Sequence, residues 1–149
     1  MLSLQEISDR LEIQELLVRY SHAVDTRDWD AFERVFTDDA VIDYTEMGGP
    51  RGGVKETRAF LEKAMPMFSS FQHMVSNTVL ELDGDEARSR TICHNPMVID
   101  QGEAGPHVFF CGLWYRDLLV RTEAGWRIKD RYEEKAYVHN MPEGLPADT

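Results

Sequence analysis

Ile7, Leu11, Ile13, Leu16, Leu17, Tyr20 and Ala23 recur at the spacing of one helix face, behind a Ser3…Glu6 pair spaced as a capping box. This predicts a first helix over about residues 4–24. Asp25-Thr26-Arg27-Asp28 breaks it, and Asp28 can cap a second helix with Trp29, Phe32, Val35 and Phe36 on one side. Thr37-Asp38-Asp39 should end that helix, and Ala40–Tyr44 reads as a short strand. A glycine-rich turn at 48–53 leads to a third helix marked by Phe60, Leu61, Ala64 and Met65.

Beyond residue 71 the period shortens to that of strands. Phe71–Leu82 runs into Asp83-Gly84-Asp85, a tight-hairpin signal, and Ala87–Ile99 follows, with Pro96 predicting an edge or a bulge. A loop at 100–106 separates it from His107–Val120, and Trp126–Tyr137 completes a meander. The last dozen residues, 138–149, read as a loose tail. Helices followed by an antiparallel meander give one α+β domain over 1–149, with three helices on one face of the sheet. Such a sheet curls into a half-open cone whose mouth is the natural place for a small-molecule pocket.

Composition narrows the partners. Sixteen Lys+Arg stand against 27 Asp+Glu, a net charge of −11, which excludes phosphate backbones and anionic membranes as favoured partners. No apolar run is long enough to span a bilayer, and the N-terminus has no secretory pattern. Cys93 and Cys111 alone make neither a disulfide framework nor a CxxC pair, so a reducing cytoplasm is expected. The sequence carries no HExxH, EF-hand, phosphate loop or GxSxG elbow, so neither a metal nor a cofactor is expected.

The remaining chemistry lies in a few polar residues among apolar ones. Asp25, at the end of the first helix, is either a turn residue or an inward carboxylate needing a donor. His73, sharing a strand face with Val75, Asn77 and Val79, is either a satisfied core histidine or that donor; held by Asp25 it becomes a general base. Tyr20, on the apolar stripe of the first helix, is a candidate acid, and Tyr44 is a second phenol. His94 and Asn95 are strand neighbours, so only one faces inward. Cys111 reads as a small apolar pocket wall, His22 should face away from Tyr20 on the helix, and His107 and His139 read as solvated. Val108, Phe110, Trp114 and Leu118 fall on one side of a strand and predict a homodimer or homotrimer.

The run from Ile13 to Tyr44 (IQELLVRYSHAVDTRDWDAFERVFTDDAVIDY) resembles the opening of the SnoaL-like branch of the nuclear transport factor 2-like superfamily. Gly112-Leu113-Trp114-Tyr115 and Gly125-Trp126-Arg127-Ile128 resemble its later strands. The resemblance covers nearly the whole chain and implies a cystatin-like roll, a curved sheet around a deep pocket. Within the branch the pattern is similar to those of scytalone dehydratase and bile-acid 7α-dehydratase, which eliminate water beside a carbonyl or enone without metal or organic cofactor. By that resemblance His73 is the catalytic histidine, Asp25 its orienting carboxylate and Tyr20 the catalytic tyrosine. Tyr44 matches a pocket tyrosine. Val24 stands where scytalone dehydratase has a tyrosine, and Cys111 where it has an asparagine. Its second histidine falls near Met97 or, with a shift, His94, and the second carboxylate of the bile-acid enzyme falls near Asn95. With Trp29 from the Asp-x-x-Asp-Trp element, the expected substrate-binding set is Tyr44, His94, Asn95, Cys111, Trp29 and Met97.

The function expected is a cofactor-independent lyase or isomerase acting on a hydrophobic cyclic hydroxy-ketone, polyketide or steroid-like molecule. The alternatives are a non-catalytic binding or assembly module of the same fold and a polyketide cyclase.

Overall fold

The computed structural model describes residues 1–145. Helix α1 (Leu4–Thr26) starts on the expected box: Glu6 N–H donates to Ser3 Oγ at 3.2 Å and Ser3 N–H to the Glu6 carboxylate at 2.7 Å. It ends two residues later than predicted, at Arg27 in the left-handed conformation (φ 57°), whose N–H closes onto Ala23 and Val24. Asp25 therefore sits in the last helical turn, not beyond it. Asp28 caps α2 (Trp29–Arg34), accepting from Ala31 N–H at 3.0 Å.

Strand β1 (Phe36–Asp43) begins earlier than expected, and Thr37-Asp38-Asp39 belongs to it. These polar residues read as a turn, but the register with β7 slips between Phe36 and Val41. That irregularity leaves Asp38 and Asp39 in water while Phe36, Ala40 and Ile42 stay in the core. A 3₁₀ turn at Thr45–Met47 and the two-residue β2 (Arg51–Gly52) precede α3 (Val54–Ala64).

The predicted strand from Phe71 is two strands, β3 (Ser70–Phe71) and β4 (Met74–Asp83), interrupted at Gln72-His73. Asn77 adopts φ 51° where the β4–β5 register shifts. After this bulge Thr78, Leu80 and Leu82 face the partners of the inner side. Asn77 and Val79 are exposed, so the predicted face they share with His73 is broken.

Strand β5 (Glu86–Asp100) runs unbroken through Pro96. On that side of β5 the neighbour changes from β4, paired up to His94, to β3, paired from Met97, so the missing N–H falls in the gap between them. Strands β6 (Pro106–Thr122) and β7 (Gly125–His139) complete an open, curved seven-stranded sheet ordered β2-β1-β7-β6-β5-β3, with β4 also on β5. The sheet is mixed, because β1 pairs parallel to β7. Both strands enter from the same end, joined through everything between them in sequence. Gly112 is buried under the Tyr137 ring, and any Cβ there would strike that ring.

The inner face of the sheet packs on α1 through Ile13, Leu16, Leu17, Tyr20 and Val24. The outer face of β6 carries Val108, Phe110, Trp114 and Leu118, all at least partly exposed. The predicted tail is ordered through Leu145. Strand β7 includes Val138 and His139, Asn140 Nδ2 donates to Val108 O at 2.7 Å, and Met141 and Leu145 pack on the core. The rest of that tail, 146–149, lies outside the described residues. No helix among them is long and apolar enough to cross a membrane.

Candidate active site

Where β3 gives way to β4 the chain leaves one backbone N–H free, and the last turn of α1 takes it. His73 N–H donates to both oxygens of Asp25, at 3.0 and 3.2 Å, and His73 Nδ1 lies 2.7 Å from Asp25 Oδ1. A carboxylate at a helix C-terminus is disfavoured by the macrodipole, and these two N–H groups offset that cost. With Nδ1 donating to Asp25, the lone pair of the neutral ring is on Nε2, which has no protein partner among the described residues. The His73 side chain is 9% exposed and lines a cavity between the sheet and α3.

That cavity has a volume of about 190 Å³. The sheet forms one wall, with Asn95, Met97, Phe109, Cys111 and Leu113. Helix α3 and the turns around Met47 and Met65–Phe68 form the cover, and Met141 and Leu145 from the predicted tail close one side. Tyr20 and Tyr44 lie in its wall, their hydroxyls hydrogen-bonded to one another. Burial pushes both phenols well above their ordinary range, so both remain protonated donors.

Behind Tyr20 lies a buried ion pair. Arg131 donates to Asp117 through Nε and Nη2, each at 2.8 Å, and both side chains are fully enclosed. The Arg131 guanidinium lies 4.0 Å from the Tyr20 ring centre and 3.9 Å from that of Tyr115.

The predicted set is thus divided. His73, Tyr20, Tyr44, Asn95, Cys111 and Met97 share the cavity wall, with Asp25 behind His73. His94 does not join them. Unbroken alternation along β5 turns Asn95 inward and His94 outward, where it stacks on Phe110 and meets the Tyr137 hydroxyl at 3.3 Å. Trp29 is also outside the cavity lining, edge-on to Phe32 at the start of α2. Of the other histidines, His107 bonds the Asn140 carbonyl at 2.7 Å, while His22 and His139 are exposed.

Three charged residues of the cavity lining went unread in the sequence: Glu46 and, on β7, Glu133 and Lys135. Counting inward from Trp126 and Ile128 in steps of two puts the β7 pair on the outside. The β6–β7 register slips between Leu118 and Leu119, making Lys129 an extra residue, and the inward set becomes Arg131, Glu133 and Lys135. Burial pushes the Glu133 carboxyl up to about 8, further than Arg131 pulls it down, and Asp43 adds to the rise. Among the described residues no group of three or more His, Cys, Asp or Glu side chains is placed to hold a metal ion.

The sequence of the SnoaL-like domain family matches residues 5–132. The chain belongs to that family. SnoaL-like domains share the nuclear transport factor 2-like, cystatin-like architecture seen here. The chain is 50% identical over 143 residues to the uncharacterized protein Rv2910c of Mycobacterium tuberculosis, covering 95% of each. Three solved structures are similar. One, from Novosphingobium aromaticivorans and provisionally named an aromatic ring hydroxylase, has 31% identity and a TM-score of 0.80, covering 91% of this chain and 94% of that one. A second protein of that organism, provisionally named a scytalone dehydratase, has 17% identity and a TM-score of 0.80 over 91% and 89%. The LinA-type3 hexachlorocyclohexane dehydrochlorinase of Novosphingobium barchaimii has 19% identity and a TM-score of 0.77 over 95% of each chain. These last two share the fold with this SnoaL-like chain, one named as a dehydratase and the other as a dehydrochlorinase.

Proposed function

We propose that this SnoaL-like protein is a cofactor-independent lyase or isomerase acting on a hydrophobic cyclic hydroxy-ketone, of polyketide or steroid-like type. The observation that carries the reading is the 2.7 Å His73 Nδ1–Asp25 contact, which leaves Nε2 bare beside an apolar cavity. His73 Nε2 takes a proton from the carbon α to the carbonyl. The Tyr20–Tyr44 hydroxyl pair uses one O–H between its members and has the other to donate to the oxygen that becomes the enolate. In a dehydration the enolate then expels a β-hydroxyl, which leaves as water with the proton held by the imidazolium. In an isomerisation the same proton returns at another carbon.

The names of the dehydratase and the dehydrochlorinase of this fold support an elimination, since each begins or ends with a proton leaving carbon. The test is a panel of uncharged cyclic β-hydroxy-ketones in D₂O, followed by mass spectrometry for deuterium at the α-carbon and for loss of water. The wild-type protein accelerates one or both. H73A loses about 10²–10⁴-fold of that rate while its melting temperature is kept. An H73A rate equal to wild type contradicts the assignment.

A further inference from the structure

Glu133 is 9% exposed, lines the cavity, and neither donates to nor accepts from any side chain or backbone group among the described residues. Its oxygens are not sealed in the protein either, so what they meet is the cavity itself. Asn95 Oδ1, on the sheet wall of the same cavity, is fully enclosed and equally unpartnered. Buried polar groups without partners are rare, and one that opens onto an apolar cavity marks a place where a ligand completes the hydrogen bonding.

We propose that Glu133 is held as a neutral carboxylic acid and donates its O–H to an uncharged oxygen of the ligand, the carbonyl of a neutral ketone. This rests on the cavity being the ligand site, and names the ligand class it takes. The Arg131 guanidinium near Glu133 is bound through two nitrogens to Asp117, with Nη1 left without a partner.

The surroundings explain why the proton stays. From α1 the site is faced by Tyr20, from β1 by Asp43 and, just after it, Tyr44. From β5 and β6 it is faced by Cys93, Cys111 and Tyr115. From β7 itself come Arg131 and Lys135, and His73 shares the cavity. Burial pushes the Cys111 thiol up to about 11, the Cys93 thiol up to about 12 and the three phenols higher still. Glu133, at about 8, is the group among these buried ones that changes charge between pH 7 and 9.

The probe is 1-tetralone, an uncharged bicyclic ketone, titrated by calorimetry from pH 6.5 to 9.5. Wild type is expected to bind it with an affinity that falls about tenfold between pH 7 and 9 as Glu133 ionises. H73N keeps that fall, which separates it from any titration of His73. E133Q, which keeps a donor but cannot ionise, binds with no dependence on pH, and E133L binds about tenfold or more weakly at pH 6.5. Infrared difference spectra at pH 7 show the carbonyl stretch of a protonated carboxyl that E133Q lacks, a readout needing neither ligand nor turnover. No binding by wild type, a flat profile, or an ionised Glu133 at pH 7 overturns the proposal. None of these results alters the H73A test, so the two readings fail separately.

Discussion

Near the start of α1 the Asp9 carboxylate receives four hydrogen bonds: two from Arg121 at 2.7 and 2.8 Å, one from Trp126 Nε1 at 3.0 Å and one from Gln5 at 3.0 Å. In the last turn of the same helix Asp25 is bonded to His73 alone, and across the cavity Glu133 has no bond at all. The first cluster ties the helix to β6 and β7 with its acceptors filled; the Arg121 guanidinium also lies over the Trp126 ring at 4.7 Å. The second leaves an imidazole nitrogen and a carboxyl facing open space. A filled set of partners makes a buried carboxylate a fastener, whereas an unfilled set makes it a site for something that arrives from outside.

Removing the fastener gives the largest effect on folding. Arg121 holds the Asp9 carboxyl down at about 2, against burial, which alone would raise it. Its stabilisation is therefore present above about pH 4 and is lost as pH falls through about 2. D9A leaves the Trp126 indole N–H without a partner and Arg121 with Asp85 alone, and is expected to cost about 1–3 kcal/mol in urea unfolding at pH 7. A cost under 1 kcal/mol would erase the distinction between the two ends.

At the cavity end the sign reverses. The folded protein holds the Glu133 proton up to about pH 8, while the unfolded chain releases it near 4.5. Folding stability attributable to Glu133 is thus full below about pH 4.5 and falls as pH rises towards 8, by a few kcal/mol over the whole window. E133Q removes this slope. The difference between the variant and wild type is expected to grow between pH 5 and 8, with the variant the more stable at pH 8. A difference that does not change with pH would show that Glu133 is ionised in the fold.

The same contrast governs what could be read from the sequence. The Ser3–Glu6 box, the Asp28 cap and the Asp83-Gly84-Asp85 hairpin are local signals, and each stands in the structure as read. The residue pattern alone leaves Asp25 open between a turn residue and an inward carboxylate, and it is the SnoaL-like resemblance that pairs it with His73. The bulge at Asn77 and the extra residue at Lys129 left no local signal. Each turns the following residues over, and so Val79 faces out and Glu133 faces in. His94 and Asn95 could be separated only once β5 was known to run unbroken past Pro96, because the neighbour change that accommodates a proline involves residues distant in sequence.

The central claim is that Asp25 fixes His73 with Nδ1 protonated and Nε2 free to take a proton. Nitrogen-15 NMR of the labelled imidazole reads this directly on the protein without ligand. Wild type should show the neutral ring as the Nδ1–H form, and D25N should lose that bias. A neutral ring protonated chiefly at Nε2 in the wild type, or one indifferent to D25N, would contradict it.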